Sequence, residues 1–188
     1  MRKLKLQVQL SVDGFNAGPN GEMDFMVWNW DDDLKKLVDD IHSTVDTILL
    51  GRKMTDGFVK HWESIKPEDP SYRFARIMVD TPKVVFTKTL KESVWNNTSL
   101  ATGKLADEIS QLKKKNGKDI IVYGGSGFVS SLIAENLIDE YHLFINPAAI
   151  GNGMTIFKSL KNKQNLQLKR STAFDCGIVC LHYELKQK

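Results

Sequence analysis

The amino-acid sequence predicts an α/β fold in three layers: a mainly parallel sheet with helices on both faces and a C-terminal antiparallel hairpin. Three observations carry that expectation. Thr47-Ile48-Leu49-Leu50 and Asp119 to Tyr123 are short, nearly continuous apolar runs, each stopped by glycine. Such runs suit strands covered on both faces, as in parallel sheets. Segments with apolar residues at helical spacing lie between the strands, and that alternation builds a parallel sheet. Beyond residue 146 the helices stop, and residues 166–174 and 178–185 read as two long strands joined through Asp175-Cys176-Gly177.

The elements follow in order. Leu4, Leu6, Val8 and Leu10 alternate with polar residues, the pattern of a strand with one buried face. Residues 12–24 are dense in Gly, Asn and Pro and form a loop. Asp31 to Asp33 open a helix whose apolar stripe is Leu34, Leu37, Val38 and Ile41. After the strand at 47–50 come helices across 52–61 and from Pro70 to Met78. Lys83 to Thr87 is a strand, and Ser99-Leu100-Ala101 a short one. Residues 103–115 form a helix with Leu105, Ile109 and Leu112 inward and lysines at its C-terminal end, where cations suit the helix dipole. Asp119 to Tyr123 is a strand, Ser126 to Glu135 a helix, and Glu140 to Asn146 a strand. With no Ser/Gly-rich linker and no internal repeat, residues 1–188 read as one domain.

Composition narrows the function. Of 188 residues 41% are hydrophobic and 26% charged, a globular balance, and the net charge of +3 is too small to point to nucleic acid or an anionic membrane. No stretch approaches the ~20 apolar residues of a spanning helix, and the start lacks a signal-peptide core. Cys176 and Cys180 sit four apart in a strand-like segment, too far for a disulfide, and read as buried apolar residues. These features predict a cytoplasmic protein. His42, His61, His142 and His182 have no partner at metal-ligand spacing, so no metal site is expected. Ser126 and Ser130 lack a nucleophile-elbow context, which argues against acyl transfer.

Three motifs carry chemistry. In Val122-Tyr123-Gly124-Gly125-Ser126-Gly127-Phe128 a buried strand ends, three glycines fall within four residues, and a helix begins. Backbone N–H groups at such a helix start face an anion with no side chains in the way, and a diphosphate is the natural guest. A tight turn alone would need one glycine. A dinucleotide fingerprint of the usual kind belongs after the first strand, whereas this motif comes late. Leu50-Gly51-Arg52-Lys53-Met54-Thr55 repeats the strand–glycine–helix plan with two cations and a hydroxyl. Taken alone it reads first as a basic, solvated helix end. Val84-Val85-Phe86-Thr87-Lys88 ends a strand with a hydroxyl and an ammonium. All three lie at carboxyl ends of predicted parallel strands and so along one sheet edge, where α/β folds bind ligands.

The segments SVDGFNAG, LLGRKM, VVFTKTL, IIVYGGSGF and LIDEYHLFINPAAIGNGMTIF, in that order, resemble the dihydrofolate reductase superfamily. The resemblance runs from the first strand to about Phe157. It is nearest the branch containing the reductase domain of the riboflavin-pathway bifunctional enzyme. That resemblance implies a dihydrofolate reductase-like fold, NADPH as cofactor, and a small pterin- or aminopyrimidine-type heterocycle as substrate. It implies that Gly51, Arg52 and Lys53 face the diphosphate or the adenosine 2′-phosphate, and that Thr87 and Lys88 also hold that phosphate. Gly124, Gly125, Ser126, Gly127 and Phe128 would cover the diphosphate near the nicotinamide, with a cis peptide joining Gly124 to Gly125. Ala17, in a mobile first loop, would approach the carboxamide. Met54 departs from the folate reductases, which carry Thr there; Thr55 would substitute only if the turn is shifted.

The substrate side is less typical. Trp28-Asn29-Trp30-Asp31-Asp32-Asp33-Leu34 resembles the Trp-then-carboxylate stretch of bacterial folate reductases, with Asp33 at the place of the catalytic acid. Three aspartates at a helix start are equally ordinary capping residues. Arg73 and Arg76 share a helix face and could read a ribose phosphate, or simply be solvated surface. The resulting expectation is an NADPH-dependent reductase acting on a small heterocycle, with no nucleic acid and no membrane as partner. The alternative is a nucleotide-binding sensor without turnover. The riboflavin-branch resemblance also implies a homodimer.

Overall fold

The computed structural model describes residues 1–186. Six strands run parallel in the middle and at one side of a single eight-stranded sheet: β1 (Leu4–Leu10), β2 (Val45–Gly51), β3 (Lys83–Phe86), β4 (Thr98–Ala101), β5 (Asp119–Val122) and β6 (Glu140–Ile145). β8 (Val179–Leu185) pairs antiparallel with β6, and β7 (Leu166–Ala173) closes that side as the edge strand. The order is β4-β3-β2-β5-β1-β6-β8-β7. The hairpin turns as expected, with Gly177 in the left-handed region at φ 91° and its N–H bonded to the Phe174 carbonyl.

Helices cover both faces. On one, α4 (Leu105–Lys114) and α5 (Ser126–Ala134) bury Ile109, Leu112, Val129, Leu132 and Ile133 against Leu4, Leu6 and Val8. On the other, α1 (Asp32–Ser43), α2 (Arg52–Ser64) and α3 (Tyr72–Asp80) bury Leu34, Val38, Phe58 and Met78 against Ile48, Leu50 and Ile121. Among the described residues no helix is long and apolar enough to cross a membrane.

Two expectations need correction. β1 does not have one solvated face: it lies between β5 and β6, and Lys5 and Gln7 are buried with the leucines. The Lys5 ammonium meets Asp119 at 3.0 Å and the Thr44 hydroxyl at 2.8 Å. Polar alternation cannot distinguish water from a buried charged partner. Cys176 is not a buried strand residue but a half-buried one in the hairpin turn, its N–H donated to Asp31 Oδ2 at 3.1 Å. Cys180 is buried in β8, where burial pushes its thiol up to about 12. Both thiols are free.

A candidate cofactor edge

Because β1 to β6 are parallel, the segments that follow them emerge along one edge of the sheet. Two helices begin there side by side. α2 is N-capped by Gly51 and α5 by Gly125, and no side chain caps either. Their first-turn N–H groups thus remain available, with the positive ends of two helix dipoles together. The spacing is set by packing: a Cβ on Gly51 would lie 2.8 Å from Phe128 Cβ. Phe128 itself packs at a tilt against Phe86, ring centroids 5.0 Å apart, fastening α5 to β3. Gly124 and Gly125 are joined by a cis peptide, as expected. A Cβ on Gly124 would meet Met54 Sδ at 3.0 Å, so Met54, the departure from the folate pattern, packs beneath the double glycine.

Gly127 is different. It has no positive φ, and a Cβ there meets nothing within 4 Å. Neither backbone conformation nor internal packing requires glycine; an approaching ligand would.

The cations are arranged unequally. Arg52 is held by Asp56 at 2.8 Å and lies 5.0 Å from the Trp95 ring, whose indole N–H also reaches Asp56 at 3.1 Å. The guanidinium beside it holds the Asp56 carboxyl below its ordinary value. Lys53 and Lys88 are exposed. Thr87 is buried, and its hydroxyl oxygen accepts from the N–H groups of Thr89 and Leu90, both at 3.2 Å. Thr55 is fully buried and donates to the Gly51 carbonyl at 3.1 Å. That hydroxyl is spent on the helix backbone.

The first loop is stitched down. Ala17 pairs with Met154 in an isolated antiparallel bridge, and a Cβ on Gly153 would collide with the Ala17 carbonyl. Asp13 accepts from the N–H groups of Ile150 and Gly151, which with the Ser11 hydroxyl hold its carboxyl below the ordinary value. The Asn146 side chain accepts from Val27 N–H at 2.9 Å. Asn16 Nδ2 donates to Ser126 Oγ at 2.9 Å, tying the loop to the start of α5. Asn16 Oδ1 is buried with no partner. Asn16, Trp95 and Asp56 were not marked in the sequence because their roles exist only across the folded edge.

The substrate side is less assembled. Asp31, not Asp33, is the N-cap of α1, accepting from Leu34 N–H at 2.8 Å. Asp33 is exposed, and its carboxylate has no hydrogen-bond partner among the described residues. Trp28 is exposed and stacks on Trp30 at 6.5 Å. Arg73 pairs with Asp39 and Arg76 with Asp80. Arg76 borders Asp46 and Pro82, at the starts of β2 and β3, and so lies at the opposite edge.

The sheet order and the glycine-led helix starts define an α/β domain of the dihydrofolate reductase superfamily. Residues 2–180 match the RibD C-terminal domain, and the chain belongs to that family. It is 30% identical over 182 residues to the uncharacterized protein YyaP of Bacillus subtilis (strain 168), covering 97% of this chain and 94% of that one. Its fold is similar to that of a putative riboflavin biosynthesis protein from Shewanella sp. PV-4, with a TM-score of 0.75, 22% identity and full coverage of both chains. It is also similar to a diaminohydroxyphosphoribosylaminopyrimidine deaminase/5-amino-6-(5-phosphoribosylamino)uracil reductase from Thermotoga maritima. There the TM-score is 0.71 at 14% identity, covering 98% of this chain and 57% of that one.

Proposed function

We propose that the protein binds NADPH and reduces a small pterin- or aminopyrimidine-type heterocycle, in the manner of a 5-amino-6-(5-phosphoribosylamino)uracil reductase or a dihydrofolate reductase. The observation that carries this reading is the pair of adjacent, glycine-capped helix starts of α2 and α5, open on the carboxyl edge of the sheet. A diphosphate fits across them, with Gly127 giving close backbone access. Arg52, Lys53 and Lys88 supply positive charge for a further phosphate, with Thr87 shaping the turn beside them. Asn16 Oδ1 suits the N–H of a carboxamide, next to Ala17. The cofactor, when bound, supplies the hydride; the chain supplies position and charge.

Tryptophan fluorescence tests this, because Trp95 stands against Arg52. NADPH should bind at least ~tenfold tighter than NADH, about 1.4 kcal/mol. Equal affinities for the two would sink the proposal. Oxidation of NADPH should then be followed against pterins and phosphoribosylated aminopyrimidines.

The exposure of Asp33 favours a second reading, a nucleotide-binding protein without turnover. Tight NADPH binding with no oxidation against any of these heterocycles would select it. A homodimer in the cytoplasm belongs to the same proposal: both thiols are free, and β7 leaves an exposed sheet edge. Light scattering on the eluted protein measures the first point directly.

A further inference from the structure

Away from the cofactor edge, three strands bring together groups that lie far apart in the sequence. In the ladder register Gln7 of β1 stands opposite His142 of β6, and His142 opposite His182 of β8. Two residues toward the strand starts of β1 and β6, on the same face, Lys5 stands opposite Glu140. The imidazoles stack with centroids 4.4 Å apart. Glu140 Oε2 lies 3.5 Å from His142 Nε2 and 3.9 Å from His182 Nε2. One donor atom from each of Glu140, His142 and His182 falls within 4.8 Å of the others.

The polar atoms here are unusually bare. His142 is only 6% exposed. The Nε2 atoms of His142 and His182 are both buried without a hydrogen-bond partner, and so is Gln7 Oε1. A buried polar atom left unpaired costs ~1–3 kcal/mol, so three on one patch of sheet require an explanation. The carboxylate is divided between two tasks. Its Oε1 is held by Lys3 at 2.5 Å, while Oε2 faces the two rings. Lys5 approaches Oε2 only to 3.7 Å, being engaged by Asp119 and Thr44.

We propose that Glu140, His142 and His182 form a binding site for a divalent transition-metal ion of the zinc class, with Gln7 Oε1 or water as a fourth ligand. Two imidazoles and a carboxylate are a recurrent zinc donor set, and imidazole disfavours magnesium and calcium. Metal–ligand bonds of ~2.0–2.2 Å place donors ~3.4 Å apart, so binding turns one ring out of the stack until both Nε2 atoms face the ion. His182, with a side chain 26% exposed, is free to make that turn. The ion would clamp β8, and with it the terminal hairpin, to the parallel sheet. It stands apart from the cofactor edge and does not depend on the proposed reductase activity.

The test uses the full chain, treated with EDTA and then titrated with Zn2+ against a chromophoric chelator. About one Zn2+ should bind per chain, and Zn2+ should raise the Tm. His182→Gln should weaken binding at least tenfold and abolish the Tm rise, with Glu140→Gln as the companion variant. His61→Gln, altering an exposed histidine outside the cluster, should bind like the wild type. Because His182 is partly exposed, its variant tests the site even if His142→Gln fails to fold. NADPH affinity should be unchanged in His182→Gln, which separates this test from that of the reductase. Absence of stoichiometric Zn2+ binding, or binding undiminished in His182→Gln, overturns the site.

Discussion

Three consecutive aspartates open α1, yet only Asp31 holds backbone at both its oxygens, from Leu34 and from Cys176 across the molecule. Those bonds keep its carboxyl below the ordinary value. Its stabilisation is therefore complete above the usual carboxylate range and is lost as pH falls through the lowered folded value. Asp31→Ala should lower Tm more than Asp32→Ala or Asp33→Ala, measured by thermal melts at neutral pH. Asp33→Asn should leave turnover on the best substrate within about threefold; a loss nearer the ~10²-fold of acid–base assistance would make Asp33 the proton donor that the resemblance implies. On the cofactor side, exposed Lys88 and buried Thr55 separate two adjacent-looking sequence signals. Lys88→Ala should shrink the NADPH-over-NADH preference in fluorescence titrations, while Thr55→Val should leave it unchanged. The family resemblance implies a phosphate role for Lys88 and allows one for Thr55 only if the turn is shifted. Only the back-bond to Gly51 shows that Thr55 points elsewhere.

At the scale of elements, the starts of α2 and α5 make the proposed site, and their glycines divide by cause. Gly51→Ala places a Cβ against Phe128, with backbone behind both atoms, so the helices must separate. It should cost ~1–3 kcal/mol by urea denaturation and weaken NADPH binding at the same time. Gly127→Ala has open space around the new methyl and a helical backbone. It should preserve or raise stability, by up to ~1 kcal/mol from helix propensity, while NADPH affinity falls. A Gly127→Ala protein that binds NADPH normally would remove this helix start from the site. Glycine-led helix starts were legible in the sequence because strand, turn and helix start are contiguous there. The environment of β1 was not. Lys5 and Gln7 look solvated in sequence, and their burial depends on Asp119 and Glu140 arriving from other strands.

The molecule as a whole is one sheet whose order cannot be read from local pattern, although its strands and helices can. The pairing of His142 with His182 crosses a ladder between residues 40 apart in sequence, so no metal-ligand spacing announces it. The core also carries a titration of its own. His42 is held neutral by burial, with its pKa pushed down to about 4 from 6.5 and Tyr123 Oη 2.5 Å from its Nε2, while nearby Asp39 opposes the shift. The neutral ring stabilises the fold fully above about pH 6.5, and that contribution is lost as pH falls toward 4. Chemical denaturation between pH 7 and pH 4.5 should therefore show stability falling in the wild type and falling less in His42→Gln. The stitching of the first loop has a consequence for how the protein is made. Residues 13–27 find their partners at Asn146, Ile150, Gly151 and Met154, more than a hundred positions later. A chain growing on the ribosome emerges with its N-terminal part first. It thus carries a glycine-rich loop whose one earlier anchor is the Asn16–Ser126 bond until the segment after β6 has been translated. Under the proposed function, competence to hold a nucleotide arrives only with that segment, and nascent chains halted before it should pass over a nucleotide-affinity resin without being retained.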